Sequence, residues 1–423
     1  MAVIGKTSLE KEILKFRERR PFIIIFPVRQ RKEHEMRMCG NGVRIVALIG
    51  AMSVLSFGVF GEEPGGAKPN PKPMIGAYYF DGWSGKSANA GNPKEPWAKN
   101  APTHLTRRMI DEFPEREPVW GWRDDSLEIM ERQIDLAADH GLGFFAFCWY
   151  WRDSGRAINT QAIRDDSLHT GLELYLKAKN NRRLKFCFLV ANHEGAEIKG
   201  PERWKQAGDF WMPYLKHPQY LTVAKKPLII IFDSRGGDKD GFAAMQETVR
   251  KSGLPGLAVA GCAGGSPTAG YTHRTHYNVV PGYDAGSEEH KYAELATANR
   301  AQWKGDPAQP YMPIVTAGWD KRPWEGPAGR NQKPGWYYPD RTPEQFADFL
   351  REAIGWMDKH PDQTIEERLV LVYAWNEFGE GGHIAPTKGD PDGMYLKAVK
   401  SVVMPTVQSG QPVAPADADK PRR

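Results

Sequence analysis

Two carboxylates three residues apart, Glu377 and Glu380, stand among Trp375, Phe378, Gly379 and Gly381, directly after the apolar run Leu369–Ala374. A short apolar, β-branched run reads as a buried strand, so both acids fall at the lip of a fold. Glycines let the chain turn sharply and a ligand approach closely. The flanking indole and phenyl groups offer flat apolar faces for a sugar ring or a cation. No basic residue stands beside the acids in this stretch, which separates it from a solvated ion-paired turn. Two neighbouring carboxyls can divide the roles of proton donor and proton acceptor, which is general acid/base chemistry.

A frame must hold such a pair. Eight apolar runs read as strands: Met74–Phe80, Phe144–Tyr150, Lys185–Ala191, Leu228–Asp233, Leu257–Gly261, Asn278–Pro281, Met312–Thr316 and Leu369–Ala374. Amphipathic segments lie between them, at 126–140 (capped by Asp124-Asp125-Ser126 and closed by Gly141), 160–178, 201–215, 241–252, 288–303 and 342–359, with 394–403 last. Strands alternating with helical segments imply parallel βα units, and eight of them predict a single (β/α)₈ TIM barrel. The rival, a doubly wound sheet, lacks its phosphate fingerprint. Gly141-x-Gly143-x-x-Ala146 precedes a strand instead of joining a strand to a helix.

In such a barrel the chemistry collects at the carboxyl ends of the strands. Those ends carry Tyr78, Tyr79 and Asp81; Trp149, Tyr150 and Trp151; Asn192, His193 and Glu194; Asp233; Tyr283 and Asp284; Trp319 and Asp320; and Trp375 and Asn376 before the two glutamates. Aromatics mixed with acids and amides describe a groove for sugars, which have polar edges and apolar faces. These residues are the expected substrate contacts, with Glu377 and Glu380 catalytic. His273-x-x-His276 mimics a metal pair but has no third ligand in register, so no metal and no cofactor is expected. There is no HExxH, no CxxC pair, no Walker loop and no Gly-x-Ser-x-Gly elbow. Cys148, Cys187 and Cys262 are an odd, widely spaced set in the domain and read as buried thiols.

The segment Trp375-Asn376-Glu377-Phe378-Gly379-Glu380-Gly381 resembles the Asn-Glu-Trp-x-Glu-Gly signature of glycoside hydrolase family 99, the endo-α-mannosidases. It is equally similar to the family-99-like domain of polysaccharide-biosynthesis proteins. Looser matches follow in the same order along the chain: Gly141 to Trp151, Asn192-His193-Glu194, Lys226-Pro227-Leu228-Ile229 and Ala317-Gly318-Trp319-Asp320. The resemblance implies a (β/α)₈ fold and cleavage of an α-linked glycan. It also implies that Glu377 assists the sugar 2-hydroxyl as it attacks the anomeric carbon, and that Glu380 is the acid/base on the leaving oxygen. Phe378 departs from the family tryptophan, Gly379 and Gly382 replace bulkier residues, and His193 intrudes in the third-strand motif.

Residues 1–61 read as a leader ahead of the domain. Ile45–Phe60 is apolar, Arg37 and Arg44 precede it, and Val59-Phe60-Gly61 offers a cleavage site before Glu62-Glu63. That is the pattern of a secretory signal peptide starting at Met36 or Met38, and the run is short for a membrane span. The expectation is a secreted or periplasmic protein with no stable span in the mature chain. Residues 1–61 hold 11 Lys/Arg against 5 Asp/Glu, so of the formal +5 the remaining chain carries −1. Nothing in that remainder asks for a nucleic acid; the expected partner is a polysaccharide or glycan. A Pro-rich linker (62–73), a catalytic domain (74–407) and a polar, disordered tail (408–423) complete the expected organisation.

Overall fold

The computed structural model describes residues 71–151, 160–235 and 237–404. Eight parallel strands form the frame: β1 (Met74–Tyr79), β2 (Leu142–Trp149), β3 (Lys185–Val190), β4 (Lys226–Ile231), β5 (Ala258–Cys262), β6 (His273–Thr275), β7 (Ile314–Thr316) and β8 (Leu369–Tyr373). They pair in the order β6-β5-β4-β3-β2-β1-β8-β7, and every pairing along this path is parallel. The seam between β6 and β7 is drawn together where Arg274 pairs with Tyr311. There Arg274 N–H donates to the Pro310 carbonyl (3.0 Å), and Met312 N–H donates to the Arg274 carbonyl (2.9 Å). The result is a nearly closed (β/α)₈ barrel. The strands are apolar on both faces because one face fills the barrel and the other meets helices.

Helices α1 (Leu127–Asp139), α2 (Thr170–Lys177), α3 (Gly200–Leu215), α4 (Lys239–Lys251), α5 (Tyr292–Arg300), α6 (Pro343–Lys359) and α7 (Met394–Val403) surround it. Helix α1 buries Met130, Gln133, Ile134 and Ala137, one stripe at helical spacing. Ser126 caps it, its hydroxyl accepting from Ile129 N–H at 3.2 Å. Helix α6 opens on a capping box between Thr342 and Gln345.

Two expectations are corrected. The sixth strand is His273–Thr275, not Asn278–Pro281. A polar tripeptide leaves no apolar run to read, and Thr275 serves the barrel by donating its hydroxyl to the Met312 carbonyl at 2.9 Å. Val279 is held instead by the Asn299 side-chain amide, 3.0 Å on both its N–H and its carbonyl. The segment 160–178 is not one helix. It breaks into Thr160–Arg164, a 3₁₀ turn at Ser167–His169 and α2, because Asp166 accepts from Leu168 N–H (3.0 Å) and restarts the chain. The leader, most of the linker, the tail and Gly236 lie outside the described residues.

Candidate active site at the carboxyl end of the eighth strand

Beyond Tyr373 the chain folds into a two-residue antiparallel ladder, Asn376–Glu377 against Gly382–His383. The loop at its tip carries Phe378 to Gly381. Gly381 takes the left-handed conformation (φ +70°) that glycine tolerates best. This lets the Glu380 carbonyl accept from Asp320 N–H at 2.6 Å, which ties the loop to the end of β7. The glycines that depart from the family pattern have steric reasons. A Cβ on Gly379 would fall inside the indole of Trp324, and one on Gly382 inside the ring of Tyr373. The bulk missing from the hairpin is supplied by aromatics from neighbouring segments.

Glu377 and Glu380 are both buried. The Tyr277 hydroxyl donates to Glu377 Oε1, and the Tyr373 hydroxyl donates to Glu380 Oε2. The two phenol rings meet edge-on with centroids 4.9 Å apart. Glu377 Oε2 and Glu380 Oε1 have no partner among the described residues, so each acid keeps one oxygen for a ligand. Burial pushes both carboxyls above the usual range. For Glu377 the charge of Glu380 adds to this, against the Tyr277 hydrogen bond. Glu380 is pushed up to about 7 by burial, held back by the Tyr373 hydroxyl and the charges of Lys321 and Arg330. Two acids so placed cannot both ionise readily near neutrality, so the pair retains a proton. In the ligand-free site that proton favours Glu377, because the cations act on Glu380.

The residues expected at the strand ends divide into three groups. Around the acids stand Tyr78, Tyr150, His193, Tyr283 and Trp319. The Tyr78 ring lies 4.9 Å from Tyr277, and its hydroxyl donates to the His276 carbonyl at 2.8 Å. Tyr150 packs edge-on to His193 at 6.0 Å, and His193 to Phe232 at 6.2 Å. Trp319 lies 6.2 Å from Tyr373 and 5.6 Å from Tyr283. Lys321 sits over the Tyr283 ring (3.5 Å) and pairs with Asp284 at 3.0 Å.

A second group is engaged in holding the fold. Asn376 clasps the backbone of Phe80 with both ends of its amide, at 2.7 and 2.8 Å. The Asn192 side chain accepts from Ile198 N–H (3.0 Å) and donates to the Asp233 carbonyl (3.2 Å). Asp320 is paired with Arg116 and with Arg322, the latter at 2.8 Å, and Asp233 with Arg235. Asp81 accepts from Gly171 N–H. Glu194 is exposed, its carbonyl 2.9 Å from His193 Nδ1.

The third group faces the helix layer. Trp149 stacks on His169 (5.2 Å) and packs against Trp211, and Trp151 packs on Trp149 at 5.8 Å. Tyr79 donates to Asp124 at 3.2 Å, and Trp375 Nε1 donates to Gln133 of α1 at 2.6 Å.

Sequence reading missed Tyr277, Tyr373, Lys321, Trp324 and Arg330. With the sixth strand placed at 273–275, Tyr277 would have stood two residues past a strand end. Tyr373 was legible only as part of an apolar run. Among the described residues no three acidic, histidine or cysteine side chains converge as metal ligands. His273 and His276 are both pushed down to about 4 by burial, and His276 Nδ1 lies 2.9 Å from the Tyr311 hydroxyl. The three cysteines of the domain are buried free thiols.

Comparison with known proteins places this arrangement. The family model described as "Glycosyltransferase WbsX" matches residues 122–278 and 269–399, most of the barrel. The chain belongs to the WbsX family. Two curated relatives, both named "Uncharacterized protein WxcX", come from two strains of Xanthomonas campestris pv. campestris. Each is 22% identical over 61% of this chain. The chain spans only 39% of the length of these relatives. Among solved structures, the WbsX barrel resembles the family 99 endo-α-mannosidase of Bacteroides thetaiotaomicron crystallised with bis-tris-propane. That match has a TM-score of 0.51 and 19% identity, covering 79% of this chain and 97% of that one. A "glycoside hydrolase-like protein" matches with a TM-score of 0.52 and 14% identity, over 81% and 97% of the two chains. At these identities the likeness establishes the fold, a family-99-like (β/α)₈ barrel.

Proposed function

We propose that this WbsX-family protein is an exported glycoside hydrolase that cleaves an α-linked polysaccharide with Glu377 and Glu380. The observation that carries the reading is the pair itself. Two buried acids sit on one strand-8 hairpin, each with one oxygen fixed by a tyrosine and one without a partner among the described residues. A binding groove needs no such couple.

The electrostatics suit the roles that the family resemblance implies. A sugar 2-hydroxyl donating to Glu377 Oε2 favours the anionic form of that acid, so the shared proton passes to Glu380. Glu377 then accepts the 2-hydroxyl proton as the 2-oxygen attacks the anomeric carbon. Glu380 gives its proton to the departing glycosidic oxygen. Water, deprotonated by Glu380, reopens the strained ring, and Glu377 returns the proton to the 2-oxygen. The sum is addition of water across one glycosidic bond.

The family description favours a second reading, transfer of the sugar to another glycan in polysaccharide assembly. Both readings use the same two acids and differ in the acceptor. A panel of α-linked polysaccharides incubated with the purified protein, with product size and reducing ends measured, separates them. New reducing ends support hydrolysis, and longer products without new reducing ends support transfer. Binding without either product leaves a non-catalytic carbohydrate-binding barrel. On the leader expected at residues 1–61, the proposed polysaccharide lies outside the cytoplasm. Among the described residues no helix is long and apolar enough to cross a membrane.

A further inference from the structure

Arg330 is a cation near Glu380, and its guanidinium has no hydrogen-bond or ion-pair partner among the described residues. The segment from Trp324 to Gln332 is knotted on itself. The Trp324 carbonyl accepts from Arg330 N–H (2.7 Å) and Gln332 N–H (3.1 Å), and the Gly326 carbonyl accepts from Gly329 and Asn331 at 3.1 and 3.0 Å. This knot lays the Arg330 guanidinium over the Trp324 ring, 5.5 Å from its centroid. The same indole occupies the space that a side chain at Gly379 would need. Arg330 therefore stands one aromatic ring away from the glycine between Glu377 and Glu380. Its charge acts on Glu380 and Tyr150.

Among the described residues its guanidinium makes no hydrogen bond and no ion pair. Its neighbours in the site differ. Lys321 is paired with Asp284, and Arg116 and Arg322 with Asp320. Arg341 donates to the Ala317 and His383 carbonyls. Arg330 is half-buried; drawing a guanidinium even partly out of water without an acceptor carries a cost, and that burial lowers its pKa. Glu380 is not a partner it can keep, since that acid must carry the proton for the leaving group. The planar fork of arginine suits two oxygens of one oxyanion.

We propose that Arg330 binds an anionic substituent, a carboxylate or sulfate, on the sugar beside the scissile linkage, so that the substrate is a charged glycan. This rests on the glycan-cleaving reading above for the position of the linkage.

The test pairs each anionic polymer with its neutralised form: polygalacturonate with carboxyl-reduced polymer, and a sulfated galactan with its desulfated form. Binding is read by affinity gel electrophoresis of wild type, Arg330→Gln and Arg330→Lys, and cleavage is read separately. The expected result is that one anionic polymer retards the wild type and that neutralising it weakens binding about tenfold or more, the range of a charge-assisted contact. Which polymer responds distinguishes carboxylate from sulfate. Arg330→Gln should weaken binding of the anionic polymer at least tenfold more than that of the neutralised one. Arg330→Lys, which keeps the charge but not the fork, should fall between and serves if the glutamine variant melts early.

Equal binding of charged and neutralised polymers overturns the proposal, as does an equal effect of Arg330→Gln on both, or no retardation by any anionic polymer. Arg330-dependent binding without any cleavage removes the hydrolase and keeps the anion site. Cleavage of a neutral polymer with no preference for its charged partner does the reverse.

Discussion

The Tyr373 hydroxyl, on the last residue of β8, donates to Oε2 of Glu380, seven residues further along the chain. The strand that carries the hairpin thus fixes one of the hairpin's acids, while Tyr277, just past β6, fixes the other. The two phenols touch edge-on, so any shift of one acid is felt by its neighbour.

Glu377→Gln and Glu380→Gln keep size and hydrogen bonding but remove proton transfer. Each should lose roughly 10²–10⁴-fold in turnover, the usual worth of general acid–base assistance. A substrate with a very good leaving group should partly rescue Glu380→Gln and leave Glu377→Gln inactive. The double variant should lose far less than the product of the two single losses. Near wild-type turnover in both single variants would place the chemistry elsewhere.

Glu380 must be protonated to act as the acid and is pushed up to about 7. The pair must keep its one shared proton for Glu380 to receive it, so activity should fall as pH rises above about 7, where that proton is lost. The Tyr373 hydrogen bond holds this carboxyl down, so Tyr373→Phe should move the alkaline limb to higher pH as well as lowering kcat. A pH–rate profile of kcat/KM in which the limb stays put would refute the assignment of that limb to Glu380.

The same shift costs stability. Folded Glu380 keeps a proton that the unfolded chain releases near the ordinary value of 4.5. The stabilisation from that proton is whole below about 4.5 and is lost as pH climbs through about 7. Glu380→Gln has nothing to lose there. Its Tm should exceed that of the wild type by a few degrees at pH 8, with the gap closing at pH 4. Melting curves at the two pH values check this, and equal gaps at both would count against it.

Gly379→Ala drives a methyl into the Trp324 indole. Overpacking of this kind costs roughly 1–3 kcal/mol, and the displaced indole also moves the loop between the acids. Both Tm and kcat should drop, whereas Gly355→Ala, whose Cβ meets nothing within 4 Å on helix α6, should do neither.

Chelation should leave activity intact, because the proposed chemistry runs on carboxylates and tyrosines. Complete loss with EDTA, restored by a divalent ion, would point to a metal-dependent mechanism. Export makes a separate prediction: intact-mass measurement of the protein from its native host should show a chain beginning near Glu62. Retention of residues 1–61 would contradict it.

The sequence alone determined the barrel and the position of its acids. Seven of the eight strands are runs of apolar residues, which any reading by periodicity finds, because a strand buried on both faces has no polar alternation to hide it. Glu377 and Glu380 follow the last of these runs directly, so their place at the barrel mouth came with the strand. The sixth strand escaped because His273–Thr275 is polar and is held by backbone pairing with residues near 311, a contact with no local signature. Tyr277 was lost with it. Only the tertiary structure decided which strand-end residues serve the site. Asn376 reads as a sugar contact, but Phe80, nearly three hundred residues away in sequence, takes both ends of its amide. Trp375, beside the acids in sequence, turns to α1 because successive residues of an extended chain point to opposite faces. Arg330 and Trp324 reach the hairpin through a self-knotted loop that no spacing rule foretells. Strand identity follows from composition that neighbours share, whereas a side chain's duty follows from whichever distant group meets it.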